Sequence, residues 1–374
     1  MPEVRVGITS LGHQIGYLYD MCAMGKLVTP EYREIFSDAL AMDEILQGIP
    51  SDTVIPLLCW VNEQLHNSSD VKAVDEKLIA VFLSSSPALA HRLLNYDGLR
   101  TSSGREVRLF HPIYVTYFLH YELTNFRSGE RRPLTSEEDV RIAKAYFRMV
   151  ELYHEANSPM PNQSSGVQDI FAERLWPMMI RQFKFNRFVD PILESMKLLV
   201  LFDEVEKMGY AEYSKAYYNY FGFESSRHFV ANLMELMKPS MSGLPLEKRL
   251  GVVVVNDQFV PLLESLCIQP VSGGVAVPPS LLALKTKPVY RFAANRYCVL
   301  HWDFFYMYVY RGVLRDFHER SGIKSRVERF VDFKSQVGKR VSEQRFFAGL
   351  MKLLFHRKYE VLELDQSSKG SDAY

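Results

Sequence analysis

The sequence predicts a mainly α-helical protein, with a large helical amino-terminal body over residues 1–280 and a smaller, incomplete α+β module over 281–374. Three observations carry that prediction. Before residue 280, long stretches place apolar residues at helical spacing. Polar or proline- and glycine-rich breaks separate them, at 157–166, 238–245 and 269–280. After the last break, "QPVSGGVAVPPS", short aromatic and β-branched runs replace the helical pattern, which makes it the best domain boundary. The stretch 157–166 marks a second, internal boundary.

The elements follow in order. "TPEYREIFSDALAMDEIL" opens with Thr29 as N-cap and Pro30 at the first helical position. "TSEEDVRIAKAYFRMVELYHEA" opens with a capping box, Thr135 and Glu138, and lines Ile142, Ala145, Tyr146, Met149, Leu152 and Tyr153 along one face. "DPILESMKLLVLFDEVEKMG" is stopped by Gly209, and "SSRHFVANLMELMK" by Pro239. "KPVYRF" and "RYCVLHWD", separated by "AAN", read as a hairpin. "FFYMYVYRGVLRDFHERSG" returns to helix and ends at Gly322; its aromatic residues read as core rather than as a surface for stacking bases. "SEQRFFAGLMKLLFHRK" is an amphipathic helix with Ser342 as N-cap and a buried stripe of Phe346, Phe347, Leu350, Met351 and Leu354. "YEVLELD" is the strand after it, and "SDAY" begins another.

Composition places the chain among ordinary globular proteins, with 47% hydrophobic and 24% charged residues. No apolar run approaches the roughly 20 residues that span a bilayer. The amino terminus lacks a basic region followed by an apolar segment, and the chain reads as cytoplasmic. Cys22, Cys59, Cys267 and Cys298 lie far apart and read as buried, reduced thiols. The net charge is zero, but unevenly spread. Residues 285–374 carry 18 Lys and Arg against 10 Asp and Glu; the first 284 carry 26 against 34. A basic terminal module on an acidic body fits either a polyanionic partner or attraction between the two parts.

Several chemistries are argued against by absence of motif. There is no phosphate-binding G-x-x-x-x-G-K-[ST], no G-x-G-x-x-G after a strand, no G-x-S-x-G elbow and no zinc spacing of Cys and His. Two Glu-x-x-His pairs, Glu63/His66 and Glu151/His154, match the ligand spacing of helical di-metal sites, with Glu34 or Glu44 and Glu122 as further donors. Glutamate is common and both pairs lie near helix ends, so surface positions are the expected reading.

The segments "KPVYRFAANRYCVLHWDFFYMYVYRGVLRDF", "FKSQVGKRVSEQRFFAGLMKLLF" and "KGSDAY" carry a more specific signal. Helix, strand, polar turn and an aspartate opening a second strand resemble the start of the PD-(D/E)XK nuclease core. Over roughly its last 90 residues the chain resembles a group of mostly uncharacterised bacterial proteins that end in such a module. The resemblance implies that Asp372 holds a divalent metal, Mg²⁺ or Mn²⁺, and that Glu343, matched to the start of the first helix, joins it. Ser371 stands where the motif has proline, and no acidic-x-lysine strand follows. On this reading the ending is a cut through a domain, and the 374-residue chain is expected to be catalytically inactive, with no metal bound.

Lys334, Lys339, Arg340, Arg345 and Lys352 surround the first half of the helix carrying Glu343 and are the candidate phosphate contacts. The helical body then serves to recognise a substrate or protein partner. The competing class is a non-catalytic interaction protein with a degenerate module, and a solvated basic face is the plainer reading of the five cations.

Overall fold

The computed structural model describes residues 40–67, 70–95, 109–157, 191–237, 252–254, 260–271 and 281–347. The helix start at Thr29, the strand at 359–365, Lys352 and Asp372 lie outside them, as does Cys22. In chain order the helices and strands are α1 (Met42–Ile45), α2 (Ser51–Asn67), α3 (Val71–Phe82), α4 (Pro87–Leu94), α5 (Pro112–Thr124), α6 (Ser136–Asn157), α7 (Pro191–Val205), α8 (Ala211–Tyr220) and α9 (Ser226–Met237). They continue with β1 (Val252–Val254), α10 (Val260–Ser265), α11 (Leu282–Thr286), β2 (Val289–Ala293), β3 (Arg296–Val299), α12 (Trp302–Met307), α13 (Val313–Arg320) and α14 (Phe330–Gly338). Wider π-helical segments, Tyr308–Gly312 and Lys339–Phe347, adjoin α12 and α14, whereas Glu206–Tyr210 is a kink between α7 and α8, where Gly209 turns left-handed at φ 82°. The protein is mainly helical.

Contacts divide the chain into two units. One takes the described residues within Met1–Val189 and Leu236–Tyr306, the other those within Asp190–Glu235 and Met307–Tyr374. The expected boundary at 280 is not where these contacts part. β3 is the central strand of a three-stranded antiparallel sheet, ordered β1-β3-β2, with Val252 opposite Cys298 and Val289 opposite Val299. Because β3 pairs with a strand from before the break, the hairpin belongs to the first unit. The hairpin itself is as the sequence predicts, and Asn295 supplies the left-handed turn residue at φ 53°.

In the first unit, α5 is buried at every position from Ile113 to Leu123, with no solvent-facing side. A helix apolar all round is a central one, and α2 and α6 pack against it. Burying a ring such as Phe118 or a side chain such as Leu119 contributes about 1.5–3 kcal/mol each. The capping box of α6 forms as predicted: Thr135 N donates to Glu138 Oε2 at 2.9 Å, and Glu138 N to Thr135 Oγ1 at 3.2 Å. Arg132 Nη1 adds a bond to the same carboxylate at 2.7 Å, and these contacts hold Glu138 down to about 2, its arginine hydrogen bond being the largest cause. Ile142, Ala145, Tyr146, Met149 and Tyr153 are buried along the predicted face, and Leu152 at its edge is half-buried.

The second unit is built on rings. Phe202, Tyr217, Phe221, Phe229, Phe317 and Phe333 form one buried aromatic cluster, with Phe317 and Phe333 stacked at 5.7 Å. α13 ends where Gly322 turns left-handed at φ 85°. The helix expected to start at Ser342 starts instead at Phe330 and runs through that position as π-helix. The reason is apolar spacing: Phe333, Val337 and Val341 are fully buried at four-residue intervals, so the core-facing stripe already runs up to residue 341 and a helix is in place before Ser342.

Candidate functional site

The predicted phosphate contacts that the structure describes fall on one helical run. Lys334 lies on α14; Lys339, Arg340 and Arg345 lie on the π-helical segment after it, and all four are exposed. The backbone of Glu343 belongs to the same segment, so it sits inside a helical run and not at a helix start. Burial of Phe333, Val337 and Val341 fixes which side of the run faces the core. Arg345 continues their four-residue spacing, and there the stripe turns polar. Its Nε donates to Glu204 Oε1 on α7 at 2.8 Å, and Lys207 Nζ donates to the same oxygen at 3.0 Å. Burial raises the Glu204 carboxyl, but the two cationic hydrogen bonds outweigh it and leave it below the usual range. Among the described residues Lys339 and Arg340 have no ion-pair partner.

The Glu-x-x-His pairs end up elsewhere than expected. Glu63 is 1% exposed, not a surface residue, because α2 is buried nearly all round from Val54 to Leu65 by α3, α5 and β3. Among the described residues neither carboxylate oxygen has a hydrogen-bond partner, and burial, opposed by the nearby Lys77, pushes it up to about 7. Glu122 is occupied: it is wholly buried and accepts two bonds from Arg127 Nη2, at 2.8 and 2.7 Å. Glu44 accepts from Ala41 N at 3.0 Å, and Glu151 accepts from Arg148 Nη1 at 2.7 Å. The side chain of His154 and all of Glu34 lie outside the described residues. Among the described residues no group of three or more His, Cys, Asp or Glu could hold a metal ion.

A polar cluster that the sequence reading missed gathers where α2 meets the end of β3 and the start of α12. His66 Nδ1 stands 3.6 Å from Asp303 Oδ1, too long for a hydrogen bond, with 29% and 26% of the two side chains exposed. The His66 ring lies 5.4 Å from that of Tyr306. His301 is buried and stacks on Phe304 at 4.3 Å, and its Nδ1 has no hydrogen-bond partner among the described residues. Asn62 Nδ2 ties the helix to this corner by donating to Leu300 O at 2.9 Å. Burial pushes Asp303 up to about 7 and His66 down to about 4. His301 falls to about 3 through burial, with smaller contributions from His66 and Lys285. Perturbed titratable groups brought together from distant segments mark a candidate acid–base centre. The signal in sequence was only "HWD" at a strand end, with nothing to bring it to residue 66.

No family model, no curated protein and no solved structure matches this chain. Among the described residues no helix is long and apolar enough to cross a membrane. Cys59, Cys267 and Cys298 are buried and free, as expected of reduced thiols.

Proposed function

We propose that this chain is a nuclease-like protein that contacts nucleic acid through its basic run at residues 334–345. The observation that supports the reading is that Lys334, Lys339, Arg340 and Arg345 are all exposed on one helical run pinned by buried Phe333, Val337 and Val341. Exposed cations on a rigid element suit phosphate, whose contacts position a nucleic acid without reading its sequence. Lys352 extends the same set. In this reading Glu343 and Asp372 are the ligands of Mg²⁺ or Mn²⁺ in a module that hydrolyses phosphodiesters. The described side chains supply no metal-holding group, so the support extends to phosphate contact only. Fluorescence anisotropy with labelled duplex and single-stranded DNA and RNA tests it. Binding should appear at low salt and weaken steeply as salt rises. The double variant Lys339→Glu/Arg340→Glu should weaken it uniformly across sequences and flatten the salt slope by about two phosphate contacts. Undetectable binding at low salt overturns the reading.

A second reading, a non-catalytic interaction protein, is favoured by α7, where Met196 is 52% and Leu199 37% exposed. Met196→Lys leaving nucleic-acid binding intact while abolishing a protein–protein contact would support it.

A further inference from the structure

We propose that Glu204 is a built-in competitor for phosphate at the basic run, holding Arg345 in an ion pair that a nucleic acid must displace. The inference rests on the nucleic-acid reading above and adds a means of tuning it. Three features of the site carry it. First, the carboxylate occupies the guanidinium as a phosphate oxygen would, through Arg345 Nε at 2.8 Å. Second, Glu204 is 9% exposed on its side chain whereas Arg345 is 54% exposed. The arginine is therefore reachable by an incoming phosphate while its partner stays anchored in the unit. Third, the same Glu204 oxygen already accepts from Lys207 Nζ at 3.0 Å. Glu204 therefore keeps a cationic partner after Arg345 leaves, and its buried charge is not abandoned. That last feature makes the exchange feasible, because a buried carboxylate stripped of every partner resists ionisation. An ion pair with one half-exposed member is weak enough to exchange. By contrast, Lys339 and Arg340 have no acidic partner among the described residues, so they are available at first encounter and Arg345 joins afterwards.

The test is a double-mutant cycle read by anisotropy over a salt titration. Glu204→Gln should tighten binding roughly tenfold at low salt, the size expected for one released charge-assisted contact. It should also steepen the salt slope by about one contact. In the Arg345→Ala background the gain should vanish. Glu206→Gln, an exposed acid two residues along, controls for the general loss of negative charge and should give a much smaller gain. Far-UV circular dichroism and thermal unfolding verify that each variant folds. Should Glu204→Gln fail to fold, Glu204→Asp keeps the charge, withdraws it by one methylene and should tighten binding in the same direction. Three results overturn the inference: no tightening by Glu204→Gln, a gain that survives in Arg345→Ala, or an equal gain from Glu206→Gln. Wild type that binds while any of these holds leaves the nucleic-acid reading standing. Absence of binding by wild type and Glu204→Gln alike removes both.

Discussion

At the scale of single residues, Glu63 on α2 and the three members of the polar cluster, His66, His301 and Asp303, make an opposed set of four titratable groups. Glu63 and Asp303 are pushed up to about 7, while His66 and His301 fall to about 4 and 3. Between about pH 4.5 and 6.5 the folded chain keeps these two carboxyl protons and two neutral rings. The unfolded chain in that window carries two carboxylates and two imidazolium ions. Both states bind two protons, so the four shifts cancel and together leave stability flat across this window. Removing one member exposes the other kind. In Asp303→Asn the unfolded state binds one proton more than the folded state, so stability relative to wild type should rise with pH across the window. His66→Gln reverses the count, and stability relative to wild type should fall. The slopes have a ceiling of about 1.4 kcal/mol per pH unit, one proton's worth. Chemical denaturation at several pH values measures both; variants that slope the same way as each other would show that burial does not set these charges.

At the scale of elements, two glycines in helical segments of the second unit have opposite meanings. A Cβ on Gly312 would collide with the Tyr308 ring, which lies against the backbone of the π-helical turn. Gly312→Ala must push that ring out of a packed interior, and should cost about 1–3 kcal/mol. Gly338, in the last turn of α14, meets nothing within 4 Å and lacks a left-handed φ. Gly338→Ala should therefore stabilise by about 0.4–1 kcal/mol through a less flexible unfolded chain. Thermal unfolding of the two variants, with shifts of opposite sign, checks both claims. The apolar spacing that carries the helical run up to Ser342 is readable at Phe333, Val337 and Val341 once the helix start is known. A serine ahead of a glutamate looked like an N-cap because the local signal does not reveal whether the preceding residues are already helical.

At the scale of the whole molecule, each unit is assembled from two separated stretches of sequence. A fragment ending at residue 280 would lose β2, β3 and α12 from the first unit. β1 would lose its partner strand, and Asn62 its acceptor at Leu300. Tyr290, which donates its hydroxyl to Asp52 on α2, would go as well. Such a fragment should bind hydrophobic dyes and unfold without a sharp transition, whereas the full chain should unfold cooperatively. A sharp, reversible transition in the fragment would show that the first unit folds without its carboxyl-terminal strands.

The sequence by itself determined the helical class, the capping box of α6, the hairpin around Asn295 and the core role of the aromatic helix after it. Each depends on residues within a few positions of one another, where spacing, capping and turn chemistry act directly. Only the tertiary structure decided that β3 pairs back to β1, that Glu63 is buried and that His66 meets Asp303. It also decided that Glu204 reaches Arg345 across 141 residues. These contacts join segments far apart in the chain, and local patterns carry no information about which distant surface closes over them. Burial and pairing are properties of what arrives from elsewhere, which the residue alone does not record.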